Sequence, residues 1–168
     1  GNPVPVILQA AQSTGTDVIL MPTQSRGPLH RLFAKSVAAH VLREAPCPVW
    51  TGHDDHSLFV DRPIRKVLCG LSLAPRSDTV LRWAAGFAEV MGASLSVAHA
   101  SKGLDSIPGY RWDAEWRYWL SSISSREIDG LVSAVDTPVE VHLEAGDPLT
   151  RITRLSENLQ ADLLVIGK

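Results

Sequence analysis

The residue types best suited to hold a metal lie between His53 and His56. Their order, His-Asp-Asp-His, combines imidazole and carboxylate groups, which are common ligands of divalent metals. The stretch is polar and turn-rich and offers no third anchored ligand, so a solvated turn is favoured over a metal site. The sequence shows no Ser/His/Asp triad, no paired carboxylates with a supporting motif and no Cys/His couple. We therefore predict that the protein is not an enzyme.

The two cysteines, Cys47 and Cys69, are predicted to be buried structural thiols. Neither has a Cys-x-x-Cys partner, and both lie in apolar segments. Two cysteines do not make a disulfide framework, so a reducing cytoplasm is the expected location.

Three tryptophans share one face of a predicted helix. Trp112, Trp116 and Trp119 fall at positions i, i+4 and i+7. Such a stripe is typical of packing against a sheet or a partner, and a platform for a ligand is the alternative.

Composition narrows the classes of partner. The chain has 168 residues, a hydrophobic fraction of 45% and a formal net charge of −2. A protein that binds nucleic acid through its phosphates usually has a basic surplus, and this chain has none. No apolar run reaches the ~20 residues that cross a bilayer. We expect neither nucleic acid nor a membrane among the partners.

Short apolar runs alternate with amphipathic stretches along the whole chain. Strands are predicted at 17–21, 48–51, 66–71, 94–99, 139–144 and 162–166. Between the last two strands a helix is predicted to begin with Asp147 as N-cap and Pro148 as first residue. This alternation predicts an α/β fold with a parallel sheet and right-handed crossovers.

The two ends of the chain repeat each other. The pattern Gly1-x-Pro, followed by Asp17 and an apolar run, recurs from Gly146 to Asp162 with the same spacing and an offset of 145 residues. The chain is therefore predicted to hold one full period of a tandem array and to overlap into the next copy.

Three segments resemble the universal stress protein (UspA-like) family. Residues 66–84, KVLCGLSLAPRSDTVLRWA, are similar to its opening strand and helix. Residues 146–167 are similar to its third helix and fourth strand, and residues 36–49, SVAAHVLREAPCPV, to its last helix and strand. The resemblance implies a five-stranded parallel sheet with helices on both faces, as in the adenine nucleotide alpha hydrolase-like proteins. It also implies dimers and, often, two copies in one chain.

The resemblance divides the chain into parts of two domains. Residues 1–52 would form the C-terminal half of a first domain, 53–63 a linker, and 64–168 the N-terminal part of a second domain. The two parts would belong to separate sheets. A permuted single domain, in which strand 17–21 pairs with strand 66–71, is the alternative that the linker length allows.

Nucleotide-binding members of the family carry a loop of the form Gly-x2-Gly-x9-Gly-(Ser/Thr) after the fourth strand. Glycines let the backbone approach phosphate at a helix N-terminus. Here the glycine places are Pro22, Ser25 and Lys35, and only the following Ser36 keeps the pattern. Pro22 also lacks an amide hydrogen. The resemblance thus implies a degraded loop in the first copy.

Other positions of the family site are partly kept. Arg26 and Gly27 remain in the loop, and Lys35 offers a point charge for phosphate. Ser72 stands where binding members have Asp, and Gly167 keeps the first loop glycine of the second copy. The candidate nucleotide-binding residues are Ser25, Arg26, Gly27, Lys35, Ser36, Ser72 and Gly167.

Two functions follow from the resemblance. The first is a stress-response module without certain cofactor, which acts through dimerisation and an unidentified protein partner. The second is an ATP-binding universal stress protein with slow ATP hydrolysis. A more distant alternative, a domain like those of electron-transfer flavoproteins, is disfavoured by the Ala-Pro-Cys-Pro turn at 45–48.

The resemblance also implies an interface at the last strand of the first copy. We expect residues 48–51 to lie at or near the contact of a homodimer, or of a pseudo-dimer between tandem copies. Trp50 would anchor it, because a large aromatic side chain at a sheet edge stabilises association. Packing of Trp50 under the last helix is the alternative.

Overall fold

The computed structural model describes residues 2–22, 30–52, 63–101 and 114–167, with side chains at all of these except 22, 30–36 and 114–121. The chain divides into two compact units, Gly1–Arg62 and Pro63–Lys168. None of the helices in the described part is long and apolar enough to span a bilayer.

The first unit holds two helices and a pair of parallel strands. Its elements are α1 (Pro3–Thr14), β1 (Ile19–Pro22), α2 (His30–Glu44) and β2 (Val49–Gly52). The register places Ile19 beside Val49 and Met21 beside Thr51.

Helix α1 begins and ends at residues that satisfy its terminal backbone groups. The Asn2 side chain accepts a hydrogen bond from the Val4 amide at 3.1 Å, and Pro3 occupies the first helical position, where no amide hydrogen is needed. Gly15 ends the helix in the left-handed region at φ 63°, which glycine adopts without a Cβ clash.

The core of the first unit lies between its helices and strands. Val4, Val41 and Ala45 are buried together, and the partly buried Ile19 and Met21 of β1 pack against them. Helix α2 thus covers both α1 and one face of β1.

The second unit holds a four-stranded parallel sheet. Its elements are β3 (Lys66–Gly70), α3 (Ser77–Met91), β4 (Ser94–Ser101), α4 (Ala114–Val132), β5 (Val139–Ala145), α5 (Pro148–Leu159) and β6 (Leu163–Ile166). The strand order is β5-β4-β3-β6. The Asp162 carboxylate aligns β6 with β3, since it accepts hydrogen bonds from the Arg65 and Lys66 amides at 2.8 and 2.9 Å.

Alternate residues of β3 face opposite layers. Val67 and Cys69 belong to a cluster with α3 and α4, whereas Leu68 packs with Leu155 of α5. Helices therefore cover both faces of the sheet, and the predicted α/β class with parallel strands is confirmed.

The strands are distributed differently from a single five-stranded sheet. Strand β3 pairs with β4 on one side and with β6 on the other, while β1 pairs with β2 in a separate two-stranded sheet. Because β6 fills the place beside β3, the permuted pairing of 17–21 with 66–71 does not form. Of the two copies of the repeated segment, the one that follows β5 after a single helix lies beside β3.

Candidate functional site

Two of the predicted site residues, Ser72 and Gly167, directly follow strands that end at the same edge of the second unit's sheet. The chain moves outward from β3 through β4 to β5, and then returns to the opposite side of β3 as β6. In parallel α/β sheets, such a reversal opens a crevice at the carboxyl ends of the two strands. Gly70 of β3 lies beside Ile166 of β6, so Ser72 and Gly167 both follow strands that end at this crevice.

The β3–α3 loop is held by a buried histidine. The Leu71 amide donates to the Ala98 carbonyl at 2.8 Å, and Nδ1 of His99 lies 2.8 Å from the Leu71 carbonyl oxygen. A carbonyl oxygen only accepts, so Nδ1 carries the proton. His99 fixes the backbone one residue before Ser72, which is exposed. No sequence pattern predicted this partner of His99, because Leu71 lies 28 residues away along the chain.

The same loop contains two non-glycine residues in the left-handed region. Leu73 has φ 57° and Arg76 has φ 85°, and Arg76 is the N-cap of α3 without a capping side-chain hydrogen bond. Such backbone conformations are disfavoured for residues with a Cβ and persist only where surrounding contacts hold them. The bonds made by Leu71 supply part of that restraint.

The N-terminus of α3 already carries an acidic side chain. Asp78 lies in the first turn and forms an ion pair with Arg82. The hydrogen bond from Arg82, together with that from the Thr79 amide, lowers the pKa of Asp78 below its ordinary value of 3.8. The Asp78 carboxylate and the Arg82 guanidinium thus form a charge pair in the first turns of α3.

Gly167 is required by packing. A Cβ at this position would lie 2.7 Å from Cγ2 of Val80 on α3. The valine side chain is stiff in a helix, so it cannot easily move away. The close approach of Val80 thus explains the glycine after β6 without any contact to phosphate.

The loop of the first unit begins with proline at the equivalent place. Pro22 ends β1 and lies beside Gly52. Ser25, Arg26 and Gly27 lie outside the described residues. Lys35 and Ser36 lie in α2, whose side chains are described from Val37 onwards.

The structure describes only some of the remaining residues that the sequence analysis singled out. His53–His56 and Trp112 lie outside the described residues, and Trp116 and Trp119 lie on α4 without described side chains. Within the described ranges no group of three metal-ligating side chains occurs.

The two cysteines differ in burial. Cys69 is fully buried, and burial raises the pKa of its thiol to about 12, whereas Cys47 is partly exposed.

A groove of about 390 Å³ lies between the two helices of the first unit. Its lining residues are Asn2, Val4, Pro5, Leu8, Val37, His40 and Glu44. The lining combines apolar side chains with the polar Asn2, His40 and Glu44, and no sequence motif predicted it.

Comparisons with known proteins agree on one family. The model of the universal stress protein family matches residues 1–51 and 63–168. A universal stress protein of Mycobacterium tuberculosis is 26% identical over 168 residues, which are 99% of this chain and 56% of that protein. One of Thermus aquaticus is 45% identical over 49 residues, 29% of this chain and 36% of that protein. The chain spans about half the length of the Mycobacterium relative.

A solved structure shares the fold. The universal stress protein from Archaeoglobus fulgidus superposes with a TM-score of 0.66 at 22% identity, covering 99% of this chain and 54% of that one.

Proposed function

The chain belongs to the universal stress protein family, and from that premise we propose that it is a non-enzymatic stress-response module. It acts through contacts with protein partners, and nucleotide turnover is not its task. In the same proposal the module works in the cytoplasm, and residues 1–52 and 64–168 are parts of two tandem family domains.

The observation that supports this proposal is that each unit has an exposed apolar side chain on a strand. Leu20 of β1 is 62% exposed, and Ile166 of β6 is 68% exposed. Exposed apolar side chains on sheet faces and at sheet edges favour association with other polypeptides. They have no evident use in binding a nucleotide.

The charges and backbone groups at the candidate site support the same proposal. Pro22 brings no amide hydrogen to the first loop, and Ser72 brings no acid to the crevice of the second unit. Each of these two departures removes a group that would hydrogen-bond a bound nucleotide.

A nucleotide-binding protein with slow ATP hydrolysis is the second candidate. One observation favours it: Ser72 and Gly167 follow adjacent strands at the point where the strand order reverses. ATP would be its ligand.

Isothermal titration calorimetry of the full chain with ATP and Mg²⁺ separates the two functions. We expect a dissociation constant weaker than about 1 mM, because the loop lacks its glycines. The Pro22→Gly variant serves as the matched control for the loop and should bind no more weakly than the parent. A micromolar dissociation constant for the parent, ~8 kcal/mol of binding free energy, would overturn the proposal in favour of the nucleotide-binding candidate.

A further inference from the structure

Strand β5 is the outermost strand on one side of the second unit's sheet. It runs for seven residues, Val139–Ala145, and pairs with β4 along its whole length. Helix α4 leads into it and α5 follows it. Within the part of the chain that the structure describes, no strand lies along its other edge. A strand of this length with a free edge offers a row of main-chain hydrogen-bonding groups to another polypeptide.

The register with β4 shows which layer each side chain of β5 faces. Val141 lies beside Val97, which belongs to the cluster with α3 and α4. His142 lies beside Ala98, which packs with Leu155 of α5. Successive side chains of a strand point to opposite faces. The odd-numbered residues of β5 therefore face the layer of α4, and the even-numbered residues face the layer of α5.

The odd-numbered face of β5 is apolar, and its cover is incomplete. Val139 packs against the buried cluster, but Val141 is 38% exposed and Leu143 is 43% exposed. A strand added to the edge with apolar side chains at the matching positions would remove part of this surface from water. Burial of that apolar area would stabilise the added strand.

The even-numbered face of β5 is acidic. Glu140 and Glu144 flank His142, and the Glu140 side chain is 70% exposed. Among the described residues, neither glutamate forms an ion pair with a lysine or an arginine. Oε1 of Glu140 lies 3.6 Å from Nε2 of His142, which is longer than a hydrogen bond, and this Nε2 has no hydrogen-bond partner. Both carboxyl groups are thus available to basic side chains of another chain.

The two acids decide which kind of strand the edge accepts. If β5 paired with β5 of a second copy around His142, Glu140 of each copy would lie opposite Glu144 of the other. Like charges directly opposite each other destabilise a strand pair. A strand with lysine or arginine at these two positions is attracted instead, so the acids disfavour self-association and favour a basic partner.

We propose that the free edge of β5 docks an extended basic segment of another protein. The segment adds a strand to the sheet through main-chain hydrogen bonds. Two of its side chains are apolar and lie beside Val141 and Leu143, and two are lysine or arginine and lie beside the two glutamates. The resulting order, basic-apolar-polar-apolar-basic, is the same in both directions and fits a parallel or an antiparallel strand. This inference rests on the proposed function, since it gives the chemistry of one protein partner.

Fluorescence anisotropy with a labelled heptapeptide tests the docking. The probe is Thr-Lys-Val-Thr-Val-Lys-Thr, titrated with the full chain, and we expect saturable binding with a dissociation constant below about 1 mM. Leu143→Asp should weaken it about tenfold or more, because a charge then lies in the apolar contact. Val90→Asp is the matched control, since Val90 is 82% exposed on α3, and should bind as the parent does. A peptide methylated at every backbone nitrogen should not bind, because it cannot donate main-chain hydrogen bonds.

Charge reversal gives a result that loss of folding cannot imitate. A second peptide with Glu at both Lys positions should bind the parent about tenfold or more weakly. The double variant Glu140→Lys with Glu144→Lys should reverse the order of the two peptides. Glu89→Lys with Glu157→Lys makes the same change of net charge at exposed positions on α3 and α5, and should keep the parent's order. Equal binding of both peptides to the parent, or an unchanged order in the first double variant, would overturn the basic partner.

The remaining outcomes concern the edge itself. No saturable binding at about 1 mM, or binding that survives Leu143→Asp, would overturn the docking. Sedimentation equilibrium without peptide covers the other occupant: self-association that Leu143→Asp abolishes would assign the edge to a second copy and overturn the proposal. Calorimetry with ATP does not involve the peptide, so failure of the docking and failure of the proposed function are distinguished.

Discussion

The reactivity of Cys69 on β3 depends on the layers of the fold that bury its thiol. Its side chain lies fully buried between the sheet and α3, and burial raises the thiol pKa from the ordinary 9.0 to about 12. The thiolate, which is the reactive form, is thereby suppressed in the folded protein. Cys47 is partly exposed.

We expect the two thiols to react at very different rates with an aromatic disulfide reagent. At mildly alkaline pH Cys47 should be labelled in the native protein, and Cys69 only when urea unfolds the chain. The raised pKa also fixes a pH dependence. The folded state keeps the proton after the unfolded chain loses it, so the free energy of unfolding falls as pH rises from 9.0 towards about 12. The Cys47→Ser variant provides the control, and rapid native labelling of that variant would contradict the prediction.

Gly167 and Val80 form a second residue-scale pair that can be tested. Gly167→Ala would place a Cβ 2.7 Å from Val80, and we expect a loss of about 1–3 kcal/mol in the free energy of unfolding. Adding Val80→Ala should recover part of that loss. Gly86→Ala is the control, because a Cβ there meets nothing within 4 Å and the helix interior should gain about 0.5–1 kcal/mol. Urea unfolding measures the three variants and the parent, and a Gly167→Ala variant as stable as the parent would refute the packing role.

At the scale of elements, both repeated helices depend on their first residues. Asn2 and Asp147 each accept a backbone hydrogen bond at an end where no helical carbonyl is available. The sequence predicted the Asp147 cap, and the hydrogen bond at 3.1 Å to Thr150 confirms it.

Removal of either cap should destabilise its own unit. We expect Asn2→Ala and Asp147→Ala to lower the free energy of unfolding by about 1 kcal/mol each, whereas Asp147→Asn should change it little because Asn is an equally good N-cap. Urea unfolding followed by circular dichroism gives the comparison. If Asp147→Asn were as destabilising as Asp147→Ala, the charge of Asp147 would matter more than its hydrogen bond.

At the scale of the whole molecule, association remains a prediction centred on β2. Trp50 lies on this strand and is partly buried, beside Leu20 of β1. An aromatic side chain at the edge of a small sheet can contribute much of the free energy of an interface.

We expect the chain to dimerise and Trp50→Ala to weaken the dimer about tenfold or more, with a smaller effect on the melting temperature. Sedimentation equilibrium measures the dissociation constant, and Val90→Ala serves as a control on an exposed apolar residue away from β2. A monomeric parent at roughly tens of micromolar, or an unchanged dimer in Trp50→Ala, would argue for the alternative packing of Trp50 under a helix.

The sequence by itself determined the order of strands and helices, the internal repeat and the start of α5, because these depend on residues a few positions apart. Hydrophobic spacing and capping chemistry act within one or two turns of chain. Even the equivalence of Asn2 and Asp147 was visible as a repeated pattern.

The tertiary structure alone decided which copy of the repeat lies beside β3, that His99 fixes the backbone before Ser72, and that Val80 requires Gly167. In each case the partners are far apart in sequence: His99 bonds Leu71, and Val80 faces a glycine near the other end of its unit. Local patterns carry no record of such pairs. β6 and β1 are both short apolar strands, and β6, which follows β5 through α5, is the one that lies beside β3.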